Sequence, residues 1–272
     1  MSRRAVPPEL ARIIAFEHGF AQRRAGRVVA VPGGFAVLND RYPGSYDDNR
    51  LIIRPPGLPD PSPAAGGEVR PGPAPRAGEV LRAADEVLDG RAHRHVCVDD
   101  DELGAAYAPA FAAAGYTHDI NLIMVFRGTP PRDPRPADHL TLDELLPVLR
   151  DDWRETLPDA DEGVVEELAR RVAERLRGAD VVQFRGVREA DGRIAARADL
   201  YAHDGVAQIE SVYTGARHRG RGHARALMTA LLADAAGNDP IFLVADDADW
   251  PKDFYRRLGF EPLARTHSFL RV

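Results

Sequence analysis

Apolar positions along the chain recur with periods of about 3.6 and 2, and the switches between the two outline alternating helices and strands. In the first half the spacing predicts a helix over 8–23, with Pro8 suited to its first turn. Short strands are expected at 27–31, 35–38 and 49–53. Val80, Leu81, Ala84 and Val87 share one face of a helix over 79–88, which Gly90 stops. A strand over 95–98, a helix over 102–114 and a strand over 120–126 complete this half. In the second half, helices are expected at 142–153 and 162–176. Asp191-Gly192, set between strand-like runs at 181–188 and 193–201, signals a hairpin. After the turn His203-Asp204-Gly205 come a strand over 206–214, a helix over 222–236, a strand over 241–244, a short helix over 250–258 and a last strand around 268–272.

Two Pro/Gly-rich stretches interrupt this pattern. The stretch 54–78 holds almost no large apolar residue and reads as a long surface loop. The stretch 128–136 separates two foldable halves and reads as a linker, giving domains over 1–128 and 138–272 joined by 129–137. The halves echo each other: Gly115-Tyr116 and Gly259-Phe260 each follow a short helix and precede a strand. This self-similarity suggests a duplicated α/β unit.

Composition narrows the picture without choosing a function. A chain of 272 residues, 44% hydrophobic, suits two soluble domains of moderate size. The net charge of −6 offers no overall basic field for nucleic acid or an anionic membrane. No apolar run approaches the roughly 18 residues of a membrane helix, and no signal-peptide core follows the first residues, so a cytoplasmic location is expected. The one cysteine, Cys97, sits in an apolar run and reads as a buried small hydrophobe. No Cys/His cluster has zinc spacing, and no metal is expected.

The sharpest chemistry lies at Ser211 to Ala224, where a strand runs through a Gly-rich turn directly into a helix. Backbone N–H groups of a first helical turn converge on one spot, and the helix dipole favours an anion there by about 0.3–1 kcal/mol. Gly220 and Gly222 let oxygens approach the backbone, and Arg217, Arg219 and Arg221 add charge. Pyrophosphate binding is the chemistry implied. The Gly-Lys-Ser/Thr ending of a P-loop is absent, and the glycine spacing differs from the dinucleotide fingerprint. A repetitive Arg/Gly nucleic-acid tail does not fit a single segment between strand and helix. A surface loop without a ligand remains the plain alternative.

At this point the sequence resembles a known family. Arg219-x-x-Gly222-x-Ala224 is similar to the Arg/Gln-x-x-Gly-x-Gly/Ala signature of the GNAT acyltransferases, and Phe254-Tyr255-Arg256-Arg257-Leu258-Gly259-Phe260 resembles their second hallmark. The resemblance is specific over 181–272, looser over 138–179, and rests on element order in the first half. It implies two GNAT-like domains, each a mixed, mostly antiparallel sheet flanked by helices. It further implies that acetyl-CoA binds with its pantetheine arm on Val212, Tyr213 and Thr214 and its pyrophosphate on Arg219, Gly220, Arg221, Gly222, His223 and Ala224. Tyr255 matches the family's general acid. Glu210, on the strand feeding the loop, is the base candidate; alternation leaves its direction open, because the family usually has a bulge in this strand.

One departure is clear. Many relatives carry an Asn in the loop before the Tyr helix, whereas here the chain reads Ala245-Asp246-Asp247-Ala248-Asp249-Trp250. The aspartates either face a cationic acceptor or cap and solvate the loop; Trp250 either lines the acceptor pocket or packs at the helix start. Aligning the halves puts Phe111 where the second has Tyr255 and the Pro-rich 71–78 where the second has its phosphate loop. Proline offers no N–H to an anion. The expectation is therefore an N-acetyltransferase with one working half, passing an acetyl group from acetyl-CoA to a primary amine, as a monomer or homodimer. A non-catalytic acyl-CoA-binding regulator, which needs neither Tyr255 nor Glu210, is the alternative.

Overall fold

The apolar periodicity is realised almost element by element. A computed structural model describes residues 6–58 and 74–272. Of the expected surface loop over 54–78, residues 59–73 lie outside the described residues; of the Pro-rich 71–78, residues 74–76 carry no helix or strand and Ala77 and Gly78 already belong to α2. In chain order the elements are α1 (Pro8–Arg24), β1 (Arg27–Val31), β2 (Gly34–Leu38), β3 (Arg50–Ile53), α2 (Ala77–Val87), β4 (Arg94–Val98), α3 (Asp101–Ala113) and β5 (Thr117–Phe126). There follow β6 (Asp138–His139), α4 (Leu142–Thr156), α5 (Glu162–Arg170) with a 3₁₀ turn over Arg171–Arg177, β7 (Val181–Arg188), β8 (Ile194–His203) and β9 (Val206–Thr214). The last elements are α6 (His223–Asp234), β10 (Ile241–Asp246), α7 (Pro251–Arg257) and β11 (Phe260–Arg271). The fold is mixed α/β with a mostly antiparallel sheet.

The chain forms two compact units whose division differs from 1–128 and 138–272. The first comprises the chain up to Met124 together with Val244–Arg257 and Pro262–Val272; the second comprises Val125–Leu243 and Leu258–Glu261. The reason lies in β11. It begins at Phe260, well before the expected 268, and its end pairs antiparallel with β4, from His267↔Val98 to Arg271↔Arg94. Residues 127–137 carry no helix or strand.

In the first unit the strand order is β1-β2-β3-β4-β11-β5. Alternation along β2 splits its side chains between two faces. Ala36 and Leu38 join Leu51, Ile53, Val96, Val98 and Phe269 against α2 and α3, while Phe35 and Val37 pack with Ile52 against Ala21 of α1. Tyr107, Phe111, Tyr116 and Phe269 form a ring cluster, with Phe111 4.5 Å from Phe269 and 5.0 Å from Tyr116 between centroids. Full burial of a ring such as Phe111 contributes about 1.5–3 kcal/mol. Cys97 is not the plain core hydrophobe its neighbours suggested. It is partly buried, and its Sγ lies 3.5 Å from His95 Nε2. Burial pushes its thiol up, but His95 and the Arg50 guanidinium outweigh this and hold it below the ordinary value.

In the second unit the order is β10-β9-β8-β7-β6. The hairpin β7–β8 turns at Gly192 (φ 83°), and β8–β9 turns at Asp204 and Gly205 (φ 49° and 70°), the two successive positive angles that two-residue hairpins favour. Phe184 of β7 faces α4 and α5 in a core with Leu145, Leu149, Ala169 and Val172, while its neighbour Arg185 reaches Asp234 of α6 at 2.8 Å. Thr141 and Glu144 start α4 with reciprocal side-chain and backbone bonds. The helix expected over 162–176 is α-helical only to Arg170 and then tightens.

Candidate functional site

The family-type loop is built as its residues dictate. Gly220 and Gly222 have φ of 76° and 82°, which L side chains rarely adopt, and a Cβ at either would meet nothing within 4 Å. Gly222 caps α6 in the left-handed conformation without a side-chain bond, so its own backbone, not a Ser or Asp, opens the helix. Among the described residues no acceptor meets the N–H groups of Gly220 through Ala224; the first intrahelical bond there is Ala226 N–H to the Gly222 carbonyl, 3.0 Å. Donors at the head of a twelve-residue helix can receive an anion.

Side chains brace this loop from the β7–β8 turn. One oxygen of Glu189 takes hydrogen bonds from His218 Nδ1 (3.1 Å), Arg221 Nη1 (2.8 Å) and His223 Nε2 (3.2 Å). The bond from His218, then those from Arg221 and His223, hold the Glu189 carboxyl below its ordinary range. Arg219 folds back onto the Thr214 carbonyl at 3.1 Å.

Strand β9 supplies the second feature. It pairs with β10 only through Ala207↔Ile241 and Gln208↔Phe242, so from Ile209 to Thr214 that edge of β9 has no ladder partner among the described residues. On its other edge, facing β8, the register slips: Asp199 opposes Glu210 and Arg197 opposes Tyr213, which places one extra residue in β9. Ser211 sits at this bulge with φ 56°. The bulge resolves the direction of Glu210. Cross-strand partners share a face, so Glu210 lies with Asp199, and Tyr213 with Arg197, on the α4 side of the sheet. Gln208 donates to Glu210 at 3.1 Å. Tyr213 donates to Glu155 of α4 at 3.1 Å, and Arg197 binds Asp152 of α4 at 2.7 Å while lying 5.2 Å over the Tyr213 ring.

A cavity of about 540 Å³ opens on this side, lined by Val148, Asp152, Glu155, Arg197, Tyr213 and Arg217 among others. Burial outweighs the Arg197 contact and raises the Asp152 carboxyl above its usual value.

The remaining candidates lie elsewhere in the chain. Leu258-Gly259-Phe260 falls in the second unit, where Gly259 (φ 97°) lies against Phe126 and its carbonyl accepts from Arg127 N–H at 2.8 Å. Tyr255 falls in the first unit, on α7, 8% exposed and 5.5 Å from Phe254 between ring centroids. The aspartates before α7 are engaged by neighbouring groups: Asp246 accepts from Ala248 N–H, Asp249 from Trp250 N–H, and Asp247 binds Arg265 at 3.0 Å and Lys252 at 3.2 Å. Trp250 is 65% exposed. The sequence reading missed Arg175, Asp199 and Glu189. Only Asp199 carried a signal, as a charge inside the apolar strand run Ala198-Asp199-Leu200-Tyr201.

Comparison with known proteins gives this arrangement a family. The model of the acetyltransferase (GNAT) family matches residues 142–260. No curated protein matches the sequence. Among solved structures, a GCN5-related N-acetyltransferase from Kribbella flavida is 19% identical, with a TM-score of 0.62 over 97% of this chain and 96% of its own. A functionally unknown conserved protein from Staphylococcus epidermidis is 14% identical, with a TM-score of 0.63 over 91% and 94%. A tandem GNAT protein from the clavulanic acid biosynthesis pathway is 15% identical, with a TM-score of 0.52 over 100% and 90%. At these identities the likeness is one of fold. Among the described residues no His/Cys/Asp/Glu group fits a metal ion, and no helix is long and apolar enough to cross a membrane. From α4 to the start of β11, the chain matches the GNAT acetyltransferase family.

Proposed function

We propose that the protein transfers an acetyl group from acetyl-CoA to a primary amine, with a single acyl-CoA site built on β9 and the head of α6. The observation that carries this reading is the row of unbonded N–H groups from Gly220 through Ala224 at the head of α6. They supply donors for a pyrophosphate, and the bare edge of β9 from Ile209 to Thr214 supplies backbone groups for a pantetheine arm. Val212, Tyr213 and Thr214 then hold the arm, and Arg219 to Ala224 the pyrophosphate. The cavity beside Tyr213 gives room for a small acceptor.

In this reaction the amine lone pair attacks the thioester carbonyl. The C–N bond forms, the C–S bond breaks, the nitrogen gives up a proton, and the sulfur leaves with one. The attacking amine must first be neutral, although its free pKa is near 10.4. Glu210 is the proposed base, taking that proton directly or through water, and Tyr255 the proposed acid for the departing thiol. In the first unit, the parallel pair β3–β4 stays zipped from Leu51↔Val96 to Ile53↔Val98 and leaves no bare edge there. This supports a first unit without cofactor chemistry.

Replacing Gly222 with Val tests the site. A β-branched residue is strained at φ 82° and places methyl groups where a phosphate would approach. Acetyl-CoA affinity measured by calorimetry should fall at least a hundredfold, while circular dichroism stays that of the wild type. Unchanged affinity would remove the loop from the site. Retained binding with no turnover across a panel of primary amines would instead favour a non-catalytic acyl-CoA-binding regulator.

A further inference from the structure

The bulge in β9 is held by side chains that neither the loop nor the proposed acid–base pair uses. Ser211 has φ 56°, a conformation an L residue other than Gly adopts at a cost of about 1–3 kcal/mol unless its surroundings enforce it. Its hydroxyl accepts a hydrogen bond from Arg175 Nη1 at 2.9 Å, and its carbonyl faces Arg197 Nη1 at 3.4 Å. Arg175 comes from the 3₁₀ turn after α5 and is itself fixed by Asp199, which is 1% exposed and lies on β8 opposite Glu210. The same Asp199 oxygen accepts from Tyr201 OH at 2.6 Å. Burial of Tyr201 keeps its phenol protonated and therefore a donor.

A buried ion pair is a poor stability device, because desolvation offsets much of its attraction. Here the pair ends on the one strained residue of the strand. We infer that Arg175, locked by Asp199 and Tyr201, is a positioning residue that pins Ser211 and so sets the bulge presenting β9 to an acyl-CoA. The inference rests on the proposed acyl-CoA site. It adds a dependence of that site on side chains from the 3₁₀ turn and β8, well separated in sequence from the loop.

Removing Arg175 outright leaves Asp199 buried and unpaired, so the test begins at Ser211, where the pair survives. Ser211→Ala removes the hydroxyl but keeps the strained angle; Ser211→Gly removes the hydroxyl and the strain together. Acetyl-CoA affinity by calorimetry should weaken about tenfold in Ser211→Ala and stay within about threefold of wild type in Ser211→Gly. Arg175→Gln should weaken affinity about tenfold in the wild-type background. In the Ser211→Gly background it should have little effect, because the clamp has nothing left to hold. A merely structural Arg175 would lower the melting temperature equally in both backgrounds and show no such coupling in affinity. Equal affinity for wild type, Ser211→Ala and Arg175→Gln overturns the clamp while leaving the acyl-CoA site in place. No acetyl-CoA binding by the wild type overturns both.

Discussion

At the scale of single residues, Tyr255 carries the plainest chemical claim. Its ring is buried on α7 beside Phe254, so Tyr255→Phe keeps the packing and removes only the hydroxyl. General acid–base groups contribute about 10²–10⁴-fold. In the proposed reaction the variant should lose at least tenfold in kcat with acetyl-CoA affinity unchanged, and the basic limb of the kcat–pH profile should disappear. A variant with wild-type kcat and the same basic limb would retire Tyr255 as the acid. Glu210 is a different case. Its candidacy rested on proximity along the strand, and the bulge at Ser211 now places it on the face of Asp199 and Tyr213. Alternation alone cannot give that placement, because one extra residue reverses the side on which every later side chain falls.

Elements show where sequence reasoning succeeds and where it stops. The helix at Pro8, the hairpin at Asp191-Gly192 and the Gly-rich entry to α6 were legible because each signal is local: a ring that sets φ, a turn pair, a glycine in the left-handed region. The long β11 was not. Its first two-thirds include Pro262, Arg265 and exposed positions that hide the alternation, and its identity as a strand comes from pairing with β4 and β5, both distant in the chain. The Arg175–Asp199–Ser211 cluster was illegible for the same reason, since its members lie on three elements. Contacts between elements also set a pH response. Glu166 of α5 binds Arg150 of α4 through two bonds, at 2.5 and 3.0 Å, and also binds Arg170. These bonds, Arg150 first, pull its carboxyl down to about 2 from an ordinary 4.5. A carboxyl whose folded pKa lies below its unfolded one stabilises fully above the unfolded value and loses that contribution as pH falls through the folded one. The stability gap between wild type and Glu166→Gln in urea should therefore hold steady above pH 5 and close as pH approaches 2. A gap that widens in acid would contradict this bond as its source.

For the molecule as a whole, the question is how many acyl-CoA molecules one chain holds. Each unit contains a parallel strand pair, β3–β4 in the first and β9–β10 in the second, and the two pairs differ in the feature a pantetheine arm needs. In the first unit β3 and β4 remain paired to their last residues, and the ladder continues with Asp99 N–H donating to the Ile53 carbonyl at 3.0 Å. Their backbone donors and acceptors are spent on each other. In the second unit β9 and β10 share only two residue pairs, leaving the rest of that β9 edge for a ligand. The phosphate loop follows the same asymmetry, since its glycines occur at the head of α6, whereas α2 begins after a stretch rich in proline. The expected stoichiometry is thus one acetyl-CoA per chain, although the chain folds as two units. Calorimetric titration should give a single isotherm with a ratio near one, and Gly222→Val should abolish it entirely. A ratio near two, or one site surviving in Gly222→Val, would show that the zipped pair opens to a ligand and that the first unit binds cofactor after all.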